Sequence, residues 1–105
     1  MGELDGVYKN WQSDGILLKE ITYSEGKING SSITWWPNGN KKDERVYSSG
    51  EPNGSVSIWF ENGQKSFKGT FQDGKEDGLF TNWYENGQKK YEGTYKDGEI
   101  DLSLI

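Results

Sequence analysis

The sequence predicts an all-β protein, a repeat meander of antiparallel β-hairpins forming an elongated twisted sheet. Three observations carry this expectation. All fifteen glycines of the 105-residue chain fall on a lattice with a period of 24 residues. Gly2, Gly26, Gly50, Gly74 and Gly98 form one series, and Gly6, Gly30, Gly54 and Gly78 a second. Gly15, Gly39, Gly63 and Gly87 form a third, and Gly69 and Gly93 complete the set. The aromatic residues keep the same spacing, at Trp11, Trp35, Trp59 and Trp83 and again at Tyr23, Tyr47, Phe71 and Tyr95. Finally, Asn-Gly and Asp-Gly pairs separate aromatic-bearing runs, which is a strong short-range hairpin signal. A fixed period of this length marks units that bury apolar surface against their neighbours.

Taken in order, residues 1–5 read as the end of a truncated preceding repeat. Gly2-Glu3-Leu4-Asp5-Gly6 matches Gly26-Lys27-Ile28-Asn29-Gly30 and its later equivalents. Four repeats follow without insertion or deletion, at 6–29, 30–53, 54–77 and 78–101, all within a single domain spanning 1–105. In each, a central pair is predicted to form a type I′ turn, because Asn tolerates positive φ and Gly adopts it freely. The pairs are Asp14-Gly15, Asn38-Gly39, Asn62-Gly63 and Asn86-Gly87. Glu25-Gly26, Ser49-Gly50, Asp73-Gly74 and Asp97-Gly98 mark the return turns. Two strands per repeat give about eight strands, extending roughly 35–40 Å at ~4.8 Å per strand. Residues 102–105 alternate like a final strand, expected to pair with the fourth repeat and cap it.

An even period keeps equivalent residues on one face of the sheet. Trp11, Trp35, Trp59 and Trp83 should form one ladder, and Gln12, Trp36, Phe60 and Tyr84 a second on the opposite face. With a two-residue loop at Asn62-Gly63, Phe60 would face Lys65 and Ile58 would face Phe67. The second face also receives Val56 and Phe71.

Only 30% of residues are hydrophobic, while 14% are aromatic. Rings supply large buried area per residue, so the regular tryptophans are expected to be structural. The second ladder is the better interaction candidate. It varies along the chain, Trp36 is the fifth tryptophan, and Trp and Tyr are favoured interface anchors. Trp36, Phe60 and Tyr84 are therefore the candidate interaction residues.

The net charge is −5. An acidic surface is repelled by phosphate backbones and anionic headgroups, which disfavours nucleic-acid and membrane-surface binding. The chain contains neither His nor Cys. That removes the usual transition-metal ligands, the common nucleophile systems and the commonest general base. No phosphate-cradling glycine motif occurs, so no cofactor is expected and a small-molecule ligand is disfavoured. Asp73, Glu76 and Asp77 cluster near one return turn, and Asp97, Glu99 and Asp101 near the next. Turn chemistry explains such residues better than a calcium or acid/base site. Asn29-Gly30-Ser31 and Asn53-Gly54-Ser55 match a glycosylation sequon but read as turn residues. The start of the chain lacks the basic and apolar regions of a signal peptide, and no apolar run reaches the ~18 residues of a membrane span. The absence of cysteine leans towards a cytoplasmic location.

Tyr91-Glu92-Gly93-Thr94-Tyr95-Lys96-Asp97-Gly98 and Phe67-Lys68-Gly69-Thr70-Phe71-Gln72-Asp73-Gly74 resemble the MORN repeat. The stretch from Gly78 to Lys90 is similar to its bacterial variant, found in MORN-repeat antitoxin-like proteins. The resemblance covers essentially the whole chain. Repeat 1 departs most, with Ser13-Asp14-Gly15 and Ile16-Leu17-Leu18. Repeat 2 carries Pro37 and places Arg45 where Gly69 stands in repeat 3. The resemblance implies a β-hairpin module for contacts with proteins, or sometimes membranes. The expected function is thus a non-enzymatic protein-interaction module. Alternatives are an antitoxin or immunity protein neutralising a basic toxin, a phospholipid-binding module, and, from a different class, a carboxylate-only enzyme.

Overall fold

In the computed structural model, which describes residues 5–100, the backbone runs back and forth through one open antiparallel sheet. Its strands are β1 (Gly6–Trp11), β2 (Leu17–Ser24), β3 (Lys27–Trp35), β4 (Lys41–Ser48), β5 (Glu51–Trp59), β6 (Lys65–Gln72), β7 (Lys75–Glu76), β8 (Gly78–Trp83), β9 (Lys89–Lys96) and β10 (Glu99–Ile100). Each strand pairs with its sequence neighbours, except that β7 and β8 both pair with β6, side by side along its length. The sheet measures 48 × 35 × 10 Å, longer than the eight-strand expectation and only one layer thick. The remnant expected at 1–5, apart from Asp5, and the capping strand expected at 102–105 lie outside the described residues.

The hairpin registers repeat with the lattice. Gly6 pairs with Tyr23, Gly30 with Tyr47, Gly54 with Phe71 and Gly78 with Tyr95. Ile58 faces Phe67 as expected. Lys65, however, pairs with Trp59 rather than with Phe60, because Ser66 is an extra residue at a bulge.

The Asn-Gly turns are not the type I′ turns that the sequence predicts. At the Asn-Gly hairpins only the glycine has positive φ: +94° at Gly39, +91° at Gly63 and +90° at Gly87. The Gly63 amide donates to the Phe60 carbonyl (2.9 Å), so the turn begins at Phe60 and the glycine closes it. The Asn62 Oδ1 then accepts from the Gln64 amide at 2.9 Å, and Asn38 and Asn86 make the same contact. Asn is thus selected for its side-chain oxygen, not for left-handed backbone.

The return turns carry the type I′ geometry. Both central residues have positive φ at Glu25-Gly26, Ser49-Gly50, Asp73-Gly74 and Asp97-Gly98. They also join successive repeats. The Gly50 amide donates to the Ile28 carbonyl (2.8 Å), and the Gly74 amide to that of Pro52 (2.8 Å). Asn29 Oδ1 accepts from the Ser49 amide and Asn53 Oδ1 from the Asp73 amide. The two sequon asparagines therefore lie within β3 and β5, not in turns, and anchor the following turn. Glu and Ser occupy left-handed backbone less readily than Asn. Ser49→Asn, at φ 49°, is expected to stabilise the protein by about 0.5–1 kcal/mol, read as a raised urea midpoint.

The buried core is a single row across one face. Ile21, Val56 and Phe80 are the buried apolar side chains, with Ser32 and Gly69 buried among them. The registers place Ile21 opposite Ser32, Arg45 opposite Val56, Val56 opposite Gly69 and Phe80 opposite Gly93. From β5 to β9 large and small residues thus alternate from strand to strand, as Val56, Gly69, Phe80 and Gly93. Phe80 is the centre of an aromatic cluster, meeting Phe67, Phe71 and Tyr95 edge-on at 5.5, 5.4 and 5.0 Å between centroids.

This row corrects the expectation that the regular tryptophans form the core. Trp11 is 56% exposed, and Trp35, Trp59 and Trp83 are half-buried. In β5, Trp59 alternates to the face opposite Val56. Its ring there lies 5.8 Å from Lys41 Nζ and 5.6 Å from Lys65 Nζ. A one-layer sheet offers no second layer to bury the Trp59 ring, so lysine stems and ammonium groups cover it instead.

Candidate functional site

Trp36, Phe60 and Tyr84 each open a hairpin turn, and the backbone pins them identically. Each donates its amide across the loop, to the carbonyls of Asn40, Gln64 and Gln88, at 2.8 Å. Each accepts from the closing glycine at 2.9 Å. The three side chains therefore stand one repeat apart at one end of the sheet, roughly 10 Å between neighbours for two strand spacings.

The spacing leaves a groove between repeats. Trp36 and Phe60 line an open depression of about 770 Å³, together with Ile58, Lys42 and Asp43. Glu61 and Glu85 also line it, so three carboxylates face one amine there. The Trp36 indole Nε1 donates to the Trp59 carbonyl at 3.3 Å, which fixes the ring against the next repeat. Asn38 Nδ2 donates to the Glu61 carbonyl at 2.9 Å and Asn40 Nδ2 to the same oxygen at 3.1 Å. These bonds tie the turn of one repeat to the next and hold the groove open at a fixed width.

Trp36 is also the wall of a second depression of about 420 Å³, reached from the N-terminal side between Leu18, Thr34 and Pro37. Thr34 Oγ1 is buried and has no hydrogen-bond partner among the described residues. Lys42 Nζ sits 4.8 Å from the centre of the Trp36 ring and belongs to both depressions.

The structure thus brings Trp36 and Phe60 together in one groove. Tyr84 does not line it, although its neighbour Glu85 does. Tyr84 stands one repeat further on, 50% exposed, with Lys90 Nζ 5.7 Å from its ring. Sequence reasoning missed Lys42, Asp43 and Ile58 as groove residues. The signal was present but faint: Lys42 and Lys90 share a lattice position at which repeat 3 has Ser66. The acidic residues near the return turns lie at the opposite end of the hairpins from this groove. Among the described residues no three acidic groups approach closely enough to hold a metal ion, and Asp101 lies outside them.

Comparison with known proteins gives the geometry a family. The model of the MORN repeat variant matches residues 4–25, 52–73 and 76–97, together well over half of the chain. The matched segments begin one or two lattice periods apart. Residues 26–51 fall outside them. The consequential departure from the family pattern is therefore in repeat 2, with Trp36, Pro37 and Arg45, rather than in repeat 1. No curated protein matches the chain.

Proposed function

We propose, from the premise that this chain belongs to the MORN repeat variant family, that it binds another protein through the groove between Trp36 and Phe60. Repeats of this family are generally interaction modules and not enzymes. The observation that carries the reading is the groove itself, two aromatic walls set one repeat apart by backbone hydrogen bonds. Such a site suits an extended segment that inserts an apolar side chain between the rings. Asp43, Glu61 and Glu85 favour a basic residue beside it, in keeping with a net charge of −5. Tyr84 extends the surface by one repeat. Trp and Tyr are the usual anchors of such contacts.

A basic protein partner is also what the antitoxin or immunity reading requires, and the acidic rim is the feature that favours it. A phospholipid surface fits less well, since three carboxylates at the groove repel anionic headgroups.

Peptide display against the full chain tests the proposal. Selected sequences should place Arg or Lys beside an aromatic or aliphatic residue. Trp36→Ala and Phe60→Ala should each weaken the selected peptides by about 2 kcal/mol, roughly thirtyfold in Kd. Raised salt should weaken them further. Peptides that bind both variants as well as the parent would place the site elsewhere, and a selection without basic residues would sink the charge component.

A further inference from the structure

Repeat 3 departs from repeats 2 and 4 at the ring that walls the groove. In repeat 2 the Lys42 Nζ lies 4.8 Å from the centre of the Trp36 ring, and in repeat 4 the Lys90 Nζ lies 5.7 Å from that of Tyr84. Phe60 holds the same lattice position, but Ser66 stands where the lysine would be. Its short side chain turns back on its own hairpin, the hydroxyl donating to the Ile58 carbonyl at 3.2 Å. Among the described residues no cation lies over the Phe60 ring.

The adjoining turn is open on the same side. Repeat 2 is tied to repeat 3 by three side-chain bonds, from Trp36 Nε1 to the Trp59 carbonyl and from Asn38 and Asn40 to the Glu61 carbonyl. One repeat on, the equivalent residues are Phe60, Asn62 and Gln64. Phe60 has no N–H to give. Among the described residues the Glu85 carbonyl accepts no hydrogen bond from Asn62, Gln64 or any backbone amide. Glu61 and Glu85 also have no ion-pair partner among the described residues, whereas Asp43 already lies 3.9 Å from Arg45 Nε. Phe60, Ser66, Glu61 and Glu85 all line the depression of about 770 Å³.

Given that the groove is the binding site, we infer that its Phe60 end receives an arginine side chain of the partner, whose guanidinium takes over Phe60 the place that Lys42 and Lys90 take over their own rings. Ser66 is what leaves that place vacant. A cation over an aromatic face is attracted by the ring quadrupole. The guanidinium is flat, so it lies on the ring while its N–H groups point outward in the plane. The Glu61 and Glu85 carboxylates and the Glu85 carbonyl supply acceptors for them. An ammonium group, with its three donors at one point, covers less of the ring and serves fewer of these acceptors.

Fluorescence polarisation on the full chain tests this, with a short labelled peptide of alternating Arg and Leu and its counterpart carrying the uncharged isostere citrulline as probes. The arginine peptide should bind the parent on the order of tenfold more tightly than the citrulline peptide. Ser66→Lys should weaken the arginine peptide by roughly the same factor, because an internal ammonium then lies over Phe60. Repeats 2 and 4 carry lysine at that position, so the fold accommodates the change. Ser66→Ala adds no cation, and Gln72→Lys adds the same charge at the far end of the hairpin; each should leave affinity within about twofold. Equal binding of the two peptides, binding of neither, or a Ser66→Lys variant that binds as the parent does overturns the subsite. If Trp36→Ala in that event still weakens the arginine peptide or the peptides selected by display, the groove reading stands without it. If Trp36→Ala leaves them unchanged, that reading falls too.

Discussion

Replacing Phe80 by alanine is expected to cost about 3–5 kcal/mol, the largest loss from any single truncation in this protein. Phe80 is one of three buried apolar side chains among the described residues, and the only aromatic one. Its ring touches three others edge-on, with centroids 5.0–5.5 Å away. Each such pair contributes ~0.5–1.5 kcal/mol beyond the area it buries. A one-layer sheet has no second wall to collapse into the space left behind. The loss approaches the whole stability of a small domain, which is ~5–15 kcal/mol. Urea unfolding followed by tryptophan fluorescence gives the measurement. Trp59→Ala, on the half-buried ladder, should cost clearly less. If the two substitutions prove equal, the tryptophan ladder contributes as much as the core row and the burial pattern misleads.

The lattice made the fold legible because each repeat faces the same physical problem. The antiparallel meander and the Ile58–Phe67 register follow from a 24-residue period punctuated by turn glycines, although ten strands form where about eight were expected. Turn type did not follow. Asn-Gly is favourable in a type I′ turn, but it also suits a turn that ends on glycine while Asn bonds two residues ahead, as Asn62 does to Gln64. Periodicity alone does not separate the two. The core was misplaced for a related reason. The largest rings were assigned to the interior by their area, yet interior position in one layer depends on what the neighbouring strands leave vacant. Phe80 is buried because Gly69 and Gly93 flank it on the adjoining strands. Candidate residues Trp36 and Phe60 were recognisable as a break in the aromatic pattern. The groove between them was not, because it arises from the Trp36 indole reaching the Trp59 carbonyl across repeats. Such contacts join residues 23 apart and leave no local signature.

Gly69→Ala is expected to destabilise by about 2–3 kcal/mol, although it adds only one methyl group. The backbone at Gly69 is not in the left-handed region, so the cost is spatial rather than conformational. A Cβ there would lie 2.7 Å from two carbons of the Phe80 ring, closer than packed atoms tolerate. The ring cannot retreat easily, because Phe67, Phe71 and Tyr95 hold it on other sides. Gly93→Ala is the internal comparison. Its Cβ meets the hydroxyl end of Tyr91, which is exposed and held there by one hydrogen bond to the Tyr95 hydroxyl, so the penalty should be about 1 kcal/mol. The chain already contains the compensated form of the Gly69 site. In repeat 2 the equivalent residue is Arg45, and it faces Val56 rather than a ring. Phe80→Val should therefore cost less in the Gly69→Ala background than in the parent, with a coupling of about 1–2 kcal/mol. Strict additivity of the two substitutions would mean that the glycine and the ring do not share one space. It would also remove the reason for the large–small alternation along the row.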